Sequence, residues 1–438
     1  MLLCINLYHK ANISRKSHLE VLQPNLIRLE IEVLFMNPCI TIDVSKESSH
    51  VQGFLDFDRP ISKPKKFFHT KVGFSTIMTI YNTIVLQTGI KPIVYFEYTG
   101  VYHKSLMAYL KANNISFIPI PPLVAAKVRK SDLRNKKTDS RDCKSLSYVV
   151  YEHKVKTYYE PTKDEKRLKD LQRYYMITEK QYQEITVHLY EMIDSIYPFY
   201  KAVISEFDCF TSLKFLQKYP HPDYVTSHRE KTLINDFKEL SGHGDKYASR
   251  VISKLLELIN NTIPGCNKDD FEVEMLKDYA TQALFYKTRL NKTLEEINRI
   301  IDQDESKKKL RESIDSIPGV GSNTAARFIA EVSNVDRFKS AKALVAFAGT
   351  DPDIEQSGKV DGKHLSITKC GNKRLRTILF IMVRSMIRKR VASNPIKDFY
   401  KKKTQLGLQP KVVLVACVNK LLGLIYQLNK NGDVFTYN

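Results

Sequence analysis

The segment Asn135–Leu146, NKKTDSRDCKSL, sets two aspartates three residues apart, Asp139 and Asp142, at the end of a basic run. That run holds Lys127, Arg129, Lys130, Arg134, Lys136 and Lys137. Residues at i and i+3 share a helix face, so both carboxylates can be presented together. Two further acids close apolar runs: Asp43 follows the run CITI in CITIDVS, and Glu97 lies near the end of KPIVYFEYTG. Carboxylates gathered in one place repel, and hold protons unless a cation sits among them. Magnesium suits such a set, because it takes a few carboxylates, keeps waters and accepts phosphate oxygens. Two such ions can stabilise both the attacking and the leaving oxygen of a phosphoryl displacement. The basic run would then hold a phosphate backbone, and the acids inside it the metal acting on that backbone. A D-x-x-D pair alone also describes a solvated helix face. The ordered set D…E…D-x-x-D across one domain is the stronger signal.

Three other stretches carry candidate chemistry. Ser357 lies in the polar loop DIEQSGKVDG, with His364 the nearest imidazole in sequence. A Ser-Gly pair in a loop is ordinarily a turn, and hydroxyl attack on a phosphodiester needs activation of the kind a bound metal gives. The run IPGVG places Gly319 and Gly321 between helical segments. Backbone N–H groups at such a hairpin can bind phosphate without reading sequence, or the hairpin can be only an interhelical turn. The helix KCGNKRLRTILFIMVRSMIRKR and its sequel offer Lys369, Arg374, Arg376, Arg384, Arg388, Lys389, Arg390 and Lys401 to Lys403. They suit a nucleic-acid backbone or a solvated charged face.

The elements that must position these groups change character along the chain. From Cys39, strand-like CITIDVS and HVQGFLDFD read as a hairpin. FSTIMTIYNTIVLQ is then helical, KPIVYFEYTG a strand, VYHKSLMAYLKANN a helix, ISFIPIPP a strand, and KTDSRDCKSLSYVVYEH a helix opened by Thr138. Such alternation predicts an α/β domain over residues 37–157, with a mixed or parallel sheet carrying helices on its faces. Two long amphipathic patterns follow, one from Lys163 and one over Glu272–Gln303, within a helical region at 158–305. They predict a coiled coil or an ordinary helical bundle. A mostly helical domain occupies 306–405, with a helix and tail at 406–438. The region 195–270 shows no chemistry of its own.

Composition narrows the partners. The 438 residues include 69 Lys and Arg against 48 Asp and Glu, a formal charge of +21. An excess of that size favours a polyanion, most often nucleic acid. Seven scattered cysteines, none in a C-x-x-C pair, argue against a disulfide framework and a structural zinc, and for a reducing cytoplasm. The apolar runs TILFIMV and VVLVACV are too short to span a bilayer, so no membrane role is expected. The N-terminus has no signal-peptide pattern, and Met36 directly precedes NPCITIDVSK. Translation is expected to start at Met36, with residues 1–35 an upstream extension and residues 1–36 outside the fold.

Three motifs taken together, TIDVSK, FEYTGVYHKSL and KKTDSRDCKSLSY, resemble the N-terminal motifs of the DEDD transposases of bacterial insertion sequences. That group includes the Piv-type DNA invertases. The text SIPGVGSNTAARFIAEV…RFKSAKALVAFAGTDPDIEQSGKV…ITKCGNKRLRTIL resembles the family's second domain, and the likeness covers most of residues 37–390. It implies an RNase H-like first domain of the RuvC type whose four acids bind magnesium, with manganese able to substitute. By motif match these are Asp43, Glu97, Asp139 and Asp142. It also implies a serine nucleophile at Ser357, beside Gly358, meeting the acids in an oligomer, dimer or tetramer, assembled through the coiled coil. Tyr102 and His103 match the family's text TGVYH and are candidates to line the site. The expected partners are DNA at element ends and target, and a noncoding bridge RNA that pairs with both. The expected location is the bacterial cytoplasm, at the nucleoid. Two alternatives stand beside the transposase. One is a RuvC-like nuclease using the same acids and water; the other is a non-enzymatic nucleic-acid binder with a decayed site.

Overall fold

The structure is a computed structural model describing residues 37–436, except 99, 123, 127–138, 153–157, 353–355, 358–359 and 362–366; at 139–141, 356–357 and 360–361 it describes the backbone alone. The chain divides into two compact units between Glu160 and Pro161.

The first unit is a mixed sheet with helices packed against it. Its strands are β1 (Cys39–Val44), β2 (Ser48–Asp56), β3 (Arg59–Pro60), β4 (Lys65–Phe68), β5 (Ile93–Glu97) and β6 (Phe117–Ile120). The order is β3-β2-β1-β5-β6, with β4 also paired to β2. β1 runs antiparallel to β2 and parallel to β5, which is parallel to β6. β1 is central, and almost every residue is buried, as a near-continuous apolar run requires. Helices α1 (Lys71–Thr88), α2 (His103–Ala112) and α3 (Asp139–Glu152) complete the unit. Ile77, Ile80 and Ile84 of α1 and Leu106 and Leu110 of α2 share one core with Ile40, Ile42, Val94 and Phe96. The short basic strands β3 and β4 were not expected. Two and four residues are too few to show a period of two.

The second unit is built on two long antiparallel helices, α4 (Lys163–Ile196) and a 32-residue partner, Phe271–Asp302. A reciprocal capping box between Thr162 and Glu165 opens α4. Arg167 near the start of α4 bonds Glu296 near the end of its partner at 2.7 Å, and His188 stacks on Tyr279 farther along. Between them the chain forms α5 (Tyr200–Val203), α6 (Phe210–Lys218), α7 (Pro222–Thr226), α8 (Glu230–Ser241) and α9 (Asp245–Asn261), which makes the long partner α10. These share a core with the distal half of α4 through Leu189, Ile193, Leu213, Phe237, Ile252 and Leu276.

A separate core joins the other end of the long pair to α11 (Glu305–Asp315), α12 (Ser322–Val332), α13 (Ala341–Ala348), α14 (Lys373–Met386), α15 (Pro395–Gln405) and α16 (Pro410–Asn431). Arg388, Lys389 and Arg390, expected on the basic helix, fall in the turn beyond α14. α16 spans 22 residues with a mean hydropathy of 1.6 in its most apolar window. By length and composition it is long enough to cross a membrane, although VVLVACV alone is not, because the helix continues past Asn419 and Lys420. Val413, Cys417, Leu421, Leu422 and Ile425 spend this apolarity inside the second core.

Gly319 has φ +91°, and a Cβ there would stand 2.7 Å from the Cα of Met386. Gly319→Ala should therefore cost roughly 2–4 kcal/mol in urea unfolding, from left-handed strain and overpacking together. At Gly321 an added Cβ meets nothing within 4 Å, and Gly321→Ala should cost less than about 1 kcal/mol. Hydrogen bonds from Arg299 first and Arg167 next hold Glu296 at about 2, below its ordinary 4.5. A depressed carboxylate stabilises the fold above its unfolded value and loses that contribution as pH falls. The wild-type unfolding midpoint should drop between pH 4.5 and 2 more steeply than that of Glu296→Gln.

Candidate active site

The parallel register of β1 and β5 pairs Thr41 with Tyr95 and Ile42 with Phe96. The next residues, Asp43 and Glu97, therefore stand side by side at the ends of adjacent strands, roughly 5 Å apart along the hydrogen-bonding direction. Side chains alternate between faces, so Asp43 and Glu97 share the face of Thr41 and Tyr95. Asp43 is partly exposed, whereas Glu97 is buried and its backbone is also paired with Ile120 of β6.

Helix α3 lies against that same face. The Thr41 hydroxyl donates to the carbonyl of Cys143 at 2.8 Å, and the Cys143 thiol donates to the carbonyl of His50 at 3.3 Å. Asp142, the neighbour of Cys143, is buried. Burial pushes the Cys143 thiol up to about 12, and the carboxylates of Asp43 and Asp142 add to the shift. One thiol thus feels both the strand acid and the helix acid. Asp139 is the first residue of α3, one turn before Asp142.

Several contacts hold α3 in place without involving those acids. Lys144 pairs with Asp58 at 2.6 Å, and this hydrogen bond raises the lysine above its ordinary value. Phe57 packs its ring on Tyr148 and Tyr151, and the Tyr151 hydroxyl donates to the Asn37 carbonyl at 2.8 Å. Thr41, Cys143 and Lys144 were not singled out from sequence. The one available sign is that a small residue, Cys143, directly follows the second aspartate, where a larger one would lift the helix.

The remaining candidates are distributed as follows. His103 opens α2 with its ring stacked on Phe96 and tilted against Tyr98, while Tyr102 packs on the first-unit core. Lys127, Arg129, Lys130, Arg134, Lys136, Lys137, Gly358 and His364 lie outside the described residues. Ser357 is the second residue of β7 (Gln356–Ser357), paired with Val360 of β8 (Val360–Asp361). The base of that hairpin is clamped: Pro352 bridges Ile367, and Thr368 meets Asp351 through backbone and side chain. Gly349 and Gly371 touch so closely that a Cβ on either would lie within 2.5 Å of the other's backbone. Gly321 caps α12, and Lys369 has a left-handed φ of 52°. Arg374, Arg388, Lys389 and Arg390 are exposed. Arg376 instead donates to the Ala348 carbonyl at 2.8 Å, which ties it to the fold.

Comparison with known proteins gives two family matches. Residues 40–198 match a model of DEDD transposases of the IS110 type, and residues 311–401 match one described as the transposase IS116/IS110/IS902 family. Among curated proteins, the chain is 31% identical over 120 residues to the pilin gene-inverting protein of Moraxella bovis, 27% of this chain and 37% of that protein. It is 25% identical over 192 residues to the insertion element IS116 uncharacterized 44.8 kDa protein of Streptomyces clavuligerus, 43% of this chain and 45% of that one. Over 75 residues it is 39% identical to the transposase for insertion sequence element IS1111A of Coxiella burnetii, 17% of this chain and 20% of that one. The chain thus spans less than half the length of these relatives.

The Cys143 thiol supplies a direct check on the docked helix. With its value raised to about 12 from an ordinary 9.0, it should resist alkylation by iodoacetamide at pH 8 in the native protein and react on unfolding. Exposed Cys370 should react in both states. A raised thiol favours the fold below pH 9 and loses that contribution as pH climbs, so the urea midpoint should fall above pH 9. The fall should be shallower in Cys143→Ala.

Proposed function

We propose that the chain, which matches the IS116/IS110/IS902 transposase models over residues 40–198 and 311–401, is a DNA recombinase cutting and rejoining strands by phosphoryl transfer. The observation that carries this reading is the shared face of Asp43 and Glu97 beneath the helix that bears Asp142. The strand order supports an RNase H-like first domain of the RuvC type: an antiparallel set on one side of β1 and parallel strands on the other. On this reading residues 37–157 form the metal-binding domain, 158–305 the coiled-coil region, 306–405 the serine-bearing domain, and 406–438 a closing helix and tail.

The donor set fits a hard divalent cation. All four groups are carboxylates, the oxygen donors such a cation takes, and two of those described, Glu97 and Asp142, are largely withdrawn from water. Asp43, Glu97, Asp139 and Asp142 would hold magnesium, two ions in all, or manganese in its place. When bound, the metal supplies charge stabilisation at the phosphoryl oxygens. The chain's own part is to bring the acids into register and to present Ser357 on a hairpin with a clamped base. The Ser357 hydroxyl would attack the phosphodiester, forming a phosphoserine ester and releasing a DNA hydroxyl, with the serine proton passing to the departing oxygen. Attack by a second strand's hydroxyl on that ester reverses the step, so strands exchange without net hydrolysis.

DNA at element ends and target is the proposed substrate, with a noncoding bridge RNA reading sequence while the basic protein follows shape and backbone. The proposed setting is the bacterial cytoplasm, at the nucleoid, as a dimer or tetramer. A second reading rests on one observation: all four acids belong to the first unit, which would suffice for water-driven cleavage.

Variants separate the two in an assay with labelled element-end DNA and magnesium. Ser357→Ala should abolish strand exchange and the covalent protein–DNA species, and Asp142→Asn should abolish all cleavage, by at least about a hundredfold. Cleavage at the wild-type rate by Ser357→Ala would establish the hydrolytic reading instead. Unchanged activity in Asp142→Asn would remove the metal site.

A further inference from the structure

The second unit holds a cationic cluster that the chemistry above does not use. Lys169, Gln172 and Arg173 lie within one turn of one another on α4 and form a continuous patch. Glu331 near the end of α12, Arg337 in the following loop and Arg374 in the first turn of α14 converge on it. Burial first, then the charges of Arg173, Arg337 and Arg374, hold the Lys169 ammonium below its ordinary value, while Glu331 acts the other way. Among the described residues, Lys169 thus feels three other cations and one carboxylate.

The polar groups here are fixed yet incompletely used. Glu331 is fully buried; its Oε1 accepts from the Asn372 amide at 2.6 Å, while its Oε2 has no hydrogen-bond partner among the described residues. Asn372 is immobilised in turn, its side-chain oxygen capping α14 at the N–H groups of Arg374 and Leu375. Gln172 is fully buried, and neither its amide nitrogen nor its amide oxygen finds a partner. The Nε of Arg173 is likewise buried without one. The Arg337 guanidinium lies 4.7 Å from the ring centres of both Phe338 and Phe347. Buried polar groups are normally satisfied, and guanidinium and amide donors left over beside a basic rim suit an anionic oxygen. The cluster opens toward solvent at exposed Lys373 and Arg374.

We propose that Lys169, Arg173, Arg337 and Arg374, with the Gln172 amide, form a binding site for a phosphodiester of a nucleic-acid backbone. Guanidinium forks match phosphate oxygens geometrically. Glu331 and the aromatic rings set the cations in place before the ligand arrives. Gln172 supplies a neutral donor to the same group. The exposed basic rim at Lys373 and Arg374 suits a ligand that continues beyond the pocket, as a polynucleotide does and a free ion does not. This rests on reading the chain as a DNA-acting protein, but it assigns no chemistry to the site.

The test is binding of a fluorescent 20-base-pair duplex by the full-length protein in EDTA, where strand exchange does not interfere. Arg173→Ala should weaken binding about tenfold for duplexes of any sequence, and lower the slope of log affinity against log salt by about 1. Gln172→Leu should weaken binding while keeping or raising thermal stability. Lys268→Ala, the loss of one exposed charge elsewhere, should leave both readouts near wild type. Wild-type affinity and salt slope in both Arg173→Ala and Gln172→Leu would overturn the proposal. So would a site that serves inorganic phosphate alone, seen as phosphate-dependent thermal stabilisation lost in these variants while duplex binding is kept. Neither outcome bears on Ser357 or the four acids, which are read by cleavage.

Discussion

The first unit holds its strand acids and its helix acid in place through contacts that do not involve their carboxylates. Asp43 and Glu97 cannot separate, because each is part of the backbone ladder of adjacent strands. Asp142 could swing away with its helix. What prevents it is a set of contacts that does not depend on the acids: the Thr41 hydroxyl on the Cys143 carbonyl, the buried thiol on the His50 carbonyl, and the aromatic packing of Phe57. Neutral hydrogen bonds and packing suit this task, since neither changes when a metal enters or leaves. Preorganisation of this kind lets a site bind without first rebuilding itself.

The second unit shows the same physics in two settings. At one level of α12, Arg327 meets Glu179 bidentately at 3.1 and 2.8 Å and covers the Tyr175 ring at 4.4 Å. There one cation faces one anion, and the pair contributes to how α12 seats on α4. One turn farther along α12, Glu331 is, among the described residues, the one carboxylate acting on Lys169 beside Arg173, Arg337 and Arg374. Adjacent stretches of a single helix interface thus carry a neutralised pair and a surplus. Among the described residues both leave a buried guanidinium Nε without a partner, at Arg327 and at Arg173, and the second adds the Gln172 amide and the Glu331 Oε2.

Much of the first unit is legible in the sequence because its signals are local. CITIDVS and KPIVYFEYTG are β-branched or aromatic runs bounded by turn residues, and acids at their ends stand out against apolar neighbours. The register that sets Asp43 beside Glu97 is not legible, because it depends on pairing between segments some fifty residues apart. The part of Cys143 is hidden for another reason: a lone cysteine looks the same whether it spaces a helix or merely fills it. The long pair α4 and α10 is visible as periodicity, yet whether it closes on itself or on another chain is not; the Arg167–Glu296 contact shows closure within the chain. The cationic cluster is the least legible feature. Its members come from residues 169 to 374, and each alone is an ordinary charge on a helix or loop.

α4 and α10 leave and return side by side, each some 50 Å long at the usual rise per residue. Everything from Tyr197 to Asp270 hangs from the far end of this stalk, in a core shared with the distal ends of both helices. The first family match stops at residue 198, just past the end of α4, and the second resumes at 311. Topologically the far end is a detachable module: a short loop joining the two helices would satisfy the same chain path. Sequence and length there can drift among relatives without disturbing the base of the stalk, and a replaceable head is where one member of a lineage can come to differ from the next.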